Sequence, residues 1–379
     1  MRKFRLALLA VLVGILSAGL VGELAARVWL RNLADPMQVA LYGTVTQVEG
    51  LNSRFSQHHY LPFIPKPGYE SGGNRHNALG FRGEEIAIPK PAGTYRVALL
   101  GGSTTYNTAV RDYQRSYPYV LQQILRTERP GLEVVNAGCD KYSTWESLLN
   151  LEFRVLDTEP DLVIVYHGIN DVHPRMVYPY EAYKGDNSGS RTPYARPQEG
   201  IWDRSAVFRV LRARLGIRQP VVGLLYTRTH DYLATNHTMG FRNQKARGEY
   251  PSGVFVEQSA SEMLEQNKPT YFERNLRNMI AVCRAHKIPV VLMTFAWSPA
   301  FRNQPLVASE EYQNAFREQN GIIKRLCIEE GVPYYDFCEE MPQNPTLWTD
   351  GRHVNELGAQ VKAALVAQYL IQNRLINGS

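Results

Sequence analysis

Short, uninterrupted apolar runs recur from about residue 93 onward, and this is the feature that most constrains the fold. The runs lie at residues 97–100, 132–135, 162–166, 288–295 and 334–337. A strand in a parallel sheet has this pattern because helices cover both faces of the sheet. Stretches with helical periodicity separate the runs. We therefore predict an α/β domain built on a mostly parallel five-stranded sheet.

The stretches between the runs predict the helices that cover this sheet. They lie at residues 116–127, 144–156, 271–286, 310–330 and 355–375. The alternation stops after the third run, between residues 173 and 268. We interpret this segment as a surface insertion, since a structureless loop of that length is uncommon inside a compact domain.

The N-terminus carries a signal for the membrane. Three basic residues among the first five precede an uncharged apolar run at residues 6–22, which is about the minimum length for crossing a bilayer. Such charges favour the cytoplasmic side. A cleavage site needs small residues at positions that Leu16 and Leu24 occupy here. We predict an uncleaved membrane anchor at residues 1–28, with the rest of the chain outside the cytoplasm; a cleaved segment or a buried soluble helix remains an alternative.

The remaining domain boundaries follow from composition. Residues 29–92 are irregular and rich in Gly, Pro and aromatic residues, and they include the distinctive patch Asn77-Ala78-Leu79-Gly80-Phe81-Arg82-Gly83. We predict a linker followed by a segment packed on the main domain, which covers residues 93–376.

Charge and cysteine content narrow the range of partners. The net charge is +6, yet no stretch concentrates Lys and Arg among aromatic residues, so we expect no nucleic-acid partner. An arginine-rich helix at about 205–215 leaves two interpretations open, a solvated face or contact with lipid phosphates or an acidic glycan. The four cysteines are few for a disulfide scaffold and match no metal motif. The sequence leaves any disulfide and the oligomeric state open.

Polar residues follow the ends of the predicted strands. Ser103 follows the first strand, Gly138 the second and Asn170 the third, and residues 350–353 follow the last. The carboxyl ends of parallel strands share one edge of the sheet, where ligands bind. These segments are therefore expected to form one site.

Each of these residues suits a step of acyl transfer. The hydroxyl of Ser103 is a candidate nucleophile, which His353 activates as base. Asp350 is placed to orient the imidazole. The backbone N–H groups of Ser103 and Gly138, with the amide of Asn170, are candidate oxyanion donors. We expect glycine at 138 because a side chain there would obstruct the substrate.

Each residue also has a plain structural interpretation. Ser103 is a candidate helix N-cap. Asn170, Gly138 and Asp350 are all residue types that turns favour. His353 alone would be an ordinary surface histidine.

Together the motifs resemble the SGNH, or GDSL, hydrolase family, which is named for Ser, Gly, Asn and His in separate blocks. The resemblance spans residues 95–376 apart from the insertion, and the patch at 77–83 is similar to membrane-anchored relatives. The matching blocks, in order, are Gly101-Gly102-Ser103-Thr104, Asn136-Ala137-Gly138, Gly168-Ile169-Asn170-Asp171 and Asp350-Gly351-Arg352-His353. The Gly-Asp-Ser-Leu form of the first block has Asp and Leu where this chain has Gly102 and Thr104.

The resemblance implies a flavodoxin-like three-layer α/β/α fold and a carboxylic ester hydrolase with the site residues named above. The implied substrate is an acyl ester of a glycan or a lipid. No cofactor or metal is expected, since His167, Asp171 and His173 fit no standard ligand pattern. Two alternatives remain: an O-acetyltransferase of cell-envelope or exported polysaccharide, and a non-catalytic glycan-binding or assembly protein.

Overall fold

The computed structural model describes residues 2–44, 47, 54–56, 58–187, 199–218 and 232–376. The chain forms two compact units. The smaller unit comprises Met1–Gln57 and Pro193–His230, and the larger comprises His58–Thr192 and Asp231–Ser379. The domain boundaries given by the sequence stay predictions.

A parallel five-stranded sheet lies at the centre of the larger unit. The strands are β1 (Tyr95–Gly101), β2 (Leu132–Asn136), β3 (Leu162–Tyr166), β4 (Val290–Met293) and β5 (Tyr334–Tyr335). Their order in the sheet is β2-β1-β3-β4-β5, and each neighbouring pair is parallel. This is the flavodoxin-like order, so the α/β fold expected from the sequence is confirmed.

The α-helices of the described residues are, in chain order, α1 (Arg2–Asn32), α2 (Pro36–Tyr42), α3 (Ser103–Tyr106), α4 (Tyr117–Glu128), α5 (Thr144–Asn150), α6 (Ile169–Val172), α7 (Ala206–Arg214), α8 (Tyr232–Arg247), α9 (Val254–Glu257), α10 (Ala260–Gln266), α11 (Thr270–Ala285), α12 (Pro305–Ala308), α13 (Glu310–Glu330), α14 (Phe337–Glu340) and α15 (Glu356–Gln372).

Residues of β1 alternate between two apolar cores, since successive side chains of a strand point to opposite faces. Val97 and Leu99 lie in one core with apolar residues of α4 and α15. Ala98 and Leu100 lie in the other core with residues of α11 and α13. Burial on both faces explains why the strands read as continuous apolar runs.

Three predicted elements differ in detail. The strand expected at 334–337 covers only Tyr334–Tyr335, because α14 begins at Phe337. The helix expected at 144–156 is α-helical only to Asn150, and it continues as a π-helical turn at Leu151–Val155 and a 3₁₀ turn at Leu156–Thr158. The strand expected at 288–295 covers only Val290–Met293. The register with β3 sets this length, because Val163–Tyr166 pair with these four residues.

The smaller unit packs α2 and α7 against the C-terminal part of α1. Asp35 caps α2 by accepting a hydrogen bond from the Gln38 N–H at 2.8 Å. Within the described part of the chain, α1 is the one helix long and apolar enough to cross a membrane, a property that anchors and signal sequences share.

The two cores give a stability prediction. Leu121 of α4 is fully buried, whereas Leu357 of α15 is about half exposed. We expect Leu121→Ala to lower the free energy of unfolding by about 2–5 kcal/mol, because the substitution leaves a cavity. The matched variant Leu357→Ala should change it by no more than about 0.5 kcal/mol. Urea denaturation of the full chain in detergent, followed by tryptophan fluorescence, compares the two. Equal denaturation midpoints would contradict the assigned core.

Candidate active site

Ser103, His353 and Asp350 form a continuous hydrogen-bonded row. The Oγ of Ser103 lies 2.8 Å from Nε2 of His353, and Nδ1 of His353 lies 2.9 Å from Oδ2 of Asp350. A carboxylate only accepts hydrogen bonds, so the imidazole carries its proton on Nδ1 and its Nε2 accepts from the serine hydroxyl. This is the orientation that a general base beside a nucleophile needs.

The end of β1 requires glycine at position 102. A Cβ there would lie 2.5 Å from Nδ2 of Asn170 and 2.9 Å from the carbonyl oxygen of Tyr142. The backbone therefore approaches Asn170 more closely than a side chain would permit. Ser103 follows as the first residue of α3. Gly102, where the Gly-Asp-Ser-Leu form has Asp, is thus explained by this close approach.

The turn that carries His353 is organised by Asp350. Oδ1 of Asp350 accepts hydrogen bonds from the backbone N–H groups of Arg352 and His353, at 3.2 and 2.9 Å. Gly351 within the turn has a φ of +83°, which favours glycine. Burial alone would raise the pKa of the Asp350 carboxyl, but the hydrogen bond from His353 and the nearby Arg352 hold it well below its usual range. The carboxylate facing the imidazole is therefore charged.

Gly138 and Asn170 both lie against the segment that carries Ser103. A Cβ at Gly138 would lie 2.4 Å from the backbone nitrogen of Tyr106, so packing against α3 requires glycine at this position. The reason that the sequence suggested, room for substrate, stays a prediction. The Gly138 N–H donates to Oδ1 of Asn136 at 3.2 Å. The Asn170 amide donates one hydrogen bond to the Tyr142 carbonyl at 2.9 Å.

Asp171 and His167 have structural surroundings. The Asp171 carboxylate accepts hydrogen bonds from the Thr144 N–H at 3.0 Å and the Thr144 hydroxyl at 2.6 Å, at the start of α5. Burial raises the pKa of Asp171 and lowers the pKa of His167. Among the described residues, no group of three or more His, Cys, Asp or Glu side chains could hold a metal ion.

The sequence did not identify Arg82 as part of this site. Its guanidinium is buried and donates to four carbonyl oxygens, one at the end of α3 and three in the segment that follows, and it lies over the Tyr106 ring at 4.7 Å. The acceptors, with their distances, are Tyr106 O (2.7 Å), Asn107 O (3.1 Å), Val110 O (2.7 Å) and Arg111 O (3.0 Å). Asn74 Oδ1 accepts from Nε at 2.7 Å. The patch at 77–83 was a visible signal, but its contact with α3 was not predictable from one chain.

Lys362 is a second buried cationic residue that the sequence missed. Its Nζ donates to the carbonyl oxygen of Thr104 at 3.1 Å. The rings of Tyr117, Tyr166 and Phe337 surround it at 4.0, 3.9 and 5.4 Å. Burial lowers the pKa of Lys362 well below its usual range. Within an apolar helix, this lysine had no local pattern that marked it.

The Arg82 contacts give a kinetic prediction. We expect Arg82→Lys to lower kcat about 10- to 100-fold, because one ammonium cannot bind five acceptors and the turn bearing Ser103 shifts. The matched variant is Arg96→Lys: Arg96 is also buried and binds Glu133 and two carbonyls, at the opposite end of β1. It should lose stability and keep kcat. Ester-hydrolysis kinetics, corrected for folded fraction, compare them; equal losses of kcat would refute a positioning role for Arg82.

Comparison with known proteins identifies the family to which this chain belongs. The model of the GDSL-like lipase/acylhydrolase family matches residues 99–361. No curated protein matches the sequence.

Solved structures with a similar fold include several hydrolases. A lipase/acylhydrolase from Enterococcus faecalis is 16% identical, with a TM-score of 0.41, covering 74% of this chain and 97% of its own. A GDSL-like lipase from Bacteroides thetaiotaomicron is 16% identical, with a TM-score of 0.40, covering 73% and 88%. An acetylxylan esterase from Geobacillus stearothermophilus is 13% identical, with a TM-score of 0.40, covering 74% and 94%. Since the family model spans more than half of the sequence, the chain belongs to the GDSL-like lipase/acylhydrolase family, which makes it a carboxylic ester hydrolase.

Proposed function

We propose that this chain hydrolyses acyl esters with Ser103 as nucleophile, His353 as general base and Asp350 as the residue that orients the imidazole. The observation that carries the proposal is the unbroken row of hydrogen bonds at 2.8 and 2.9 Å. A serine hydroxyl is a weak nucleophile until a neighbouring base accepts its proton, and this geometry supplies that base.

The reaction proceeds in two halves. Oγ of Ser103 attacks the acyl carbonyl as its proton passes to Nε2 of His353, and the resulting imidazolium faces the charged Asp350 carboxylate. The same proton then passes to the leaving alcohol, which leaves an acyl ester on Ser103. Water attacks this ester with His353 as base, and the carboxylic acid is released. No cofactor takes part.

The proposed oxyanion donors are the backbone N–H groups of Ser103 and Gly138 and the side-chain amide of Asn170. Ser103 N–H lies at the first position of α3, where helical N–H groups have no partner within the helix. The Asn170 amide keeps a second hydrogen beside the one bound to Tyr142. The Gly138 N–H is held only at 3.2 Å by Asn136, so an oxyanion can share or displace that contact. One such donor is worth about 3–4 kcal/mol in the barrier.

Replacing the nucleophile tests this assignment. We expect Ser103→Ala to lower turnover of p-nitrophenyl acetate by about 10⁴-fold or more, because the acyl-enzyme cannot form. Ser309→Ala is the matched control: Ser309 is equally buried and caps α13. That variant should lose about 1 kcal/mol of stability and keep its activity.

A fluorophosphonate probe checks the same residue without a substrate. It should label wild type and Ser309→Ala but not Ser103→Ala. Unchanged turnover or labelling in Ser103→Ala would overturn the assignment. The turnover rates of the wild type are then compared on acetate, octanoate and palmitate esters and on O-acetylated glycans. This comparison determines whether the preferred acyl ester belongs to a glycan or a lipid.

We further propose that α1 anchors the chain in a membrane with the larger unit outside the cytoplasm. The support is the apolar length of α1 and the basic residues in its first turn, which favour the cytoplasmic side.

Protease added to intact spheroplasts of an expressing bacterial host tests the location. The larger unit should be digested, and the membrane fraction should retain the full chain until protease is added. A variant lacking residues 6–22 should escape digestion, because it stays inside the cell. Protection of the full-length chain would refute the orientation, and recovery of wild type in the soluble fraction would refute the anchor.

A further inference from the structure

In the helix α7 of the smaller unit, the distribution of apolar and charged side chains is the reverse of that in a helix on the surface of a water-soluble protein. Its buried side chains are Ala206 and Arg209, which is only 4% exposed. Its outward face carries Val207, Phe208 and Leu211, which are 39%, 43% and 50% exposed. A helix bordered by water shows the opposite arrangement, with apolar residues inward and charges outward.

The charged residues around α7 are directed inward by specific partners. Asp203 accepts from Nε of Arg218 at 3.0 Å, and both side chains are buried. Nε of Arg209 donates to the Tyr42 carbonyl at 2.9 Å, and Arg218 donates to the Gly43 carbonyl at 2.7 Å. These contacts fix α7 on the end of α2, and they determine which of its faces points outward.

The outward face of α7 is part of a larger apolar surface. On either side of the helix, Ile201, Trp202, Leu215 and Ile217 are between 60% and 71% exposed. The rings of Trp202 and Phe208 pack together at 5.4 Å. A contiguous exposed apolar surface of this kind marks an interaction site. We call residues Ile201, Trp202, Phe208, Leu211, Leu215 and Ile217 the α7 apolar surface.

This surface adjoins the end of the apolar run in α1. The Glu23 carboxylate, directly after that run, accepts hydrogen bonds from the N–H groups of Ala206 at 2.9 Å and Val207 at 3.1 Å. A Cβ at Gly22, the last residue of the run, would lie 3.9 Å from Val207 Cγ2. A helix needs about 20 residues to cross the hydrocarbon core of a bilayer. When the apolar run of α1 fills that core, its end at Gly22, and with it the start of α7, lies where the lipid headgroups begin.

Charge at the same level complements a lipid surface. Arg27 of α1, which also pairs with Glu23 at 2.7 Å, is exposed, and so are Arg204 before α7 and Arg214 at its last position. Arginine near a bilayer surface is attracted to anionic phospholipid headgroups, and tryptophan is enriched at that depth.

We propose that the α7 apolar surface lies in the headgroup–acyl boundary of the bilayer that α1 crosses, with the neighbouring arginines on anionic phospholipids. This inference rests on the proposed anchoring by α1. It makes the smaller unit a two-part membrane attachment, in which one helix spans the bilayer and a second lies along its surface.

Tryptophan quenching by brominated lipids tests the proposal. The full chain with Trp29→Phe, which removes the tryptophan of α1, is reconstituted in phosphatidylcholine vesicles containing phosphatidylglycerol, with bromine at a defined acyl depth. We expect strong quenching of this protein. The further change Trp202→Phe should remove most of that quenching, whereas Trp348→Phe, at a buried position of the larger unit, should leave it unchanged.

A charge substitution supplies the second measurement. Leu211→Glu in the Trp29→Phe background should weaken bromolipid quenching and shift the Trp202 emission to the red, whereas Ile328→Glu, at an exposed position of α13, should do neither. Co-flotation with the vesicles reports on α1 separately. Flotation of the protein without bromolipid quenching of Trp202 would overturn the proposal. Iodide in the buffer then shows whether Trp202 faces water or is covered by another protein surface, and either result overturns the proposal. Absence of flotation would instead refute the anchor.

Discussion

The hydrogen bond between Ser103 and His353 joins two residues that are 250 positions apart in the sequence, and the chemistry of the site depends on it. The parallel sheet allows this contact, because the residues that follow β1 and those that follow β5 both lie at the edge formed by the carboxyl ends of the strands. Neither residue has a local reason to meet the other. Burial of the strands on both faces fixes the sheet, and the sheet in turn fixes the distance between hydroxyl and imidazole.

A turn as short as α3 cannot hold a nucleophile rigidly by its own hydrogen bonds. Four residues leave most of their carbonyl groups without helical partners. Two distant parts of the chain supply such partners. Lys362 donates to the carbonyl of Thr104, and Arg82 donates to the carbonyl of Tyr106 and to three carbonyls of the segment after α3, those of Asn107, Val110 and Arg111. The turn that bears Ser103, the proposed nucleophile, is therefore held by buried donors from outside the turn.

The sequence predicted what local pattern encodes and missed what only tertiary contact encodes. Apolar runs revealed all five strands, and polar residues at strand ends revealed Ser103, Asp350 and His353. The sequence did not reveal that packing requires glycine at 138, where a Cβ would lie against the backbone of Tyr106. Arg82 and Lys362 escaped notice because a single cation in a loop or helix has no periodic signal. The arginine-rich helix was recognised, but which of its faces is buried depends on partners in α2, and no pattern within the helix contains that information.

The proposed catalytic residues and the proposed membrane attachment lie in different units of the chain. Ser103, Gly138, Asn170, Asp350 and His353 all belong to the larger unit, and so do Arg82 and Lys362, which support α3. In the smaller unit, the buried charged residues Arg209 and Arg218 both bind Asp203 and stabilise the packing of α7. In each unit, buried arginines thus stabilise the packing by donating hydrogen bonds to carbonyl oxygens. In the larger unit they hold the turn that bears Ser103, and in the smaller unit they determine that the apolar face of α7 points outward.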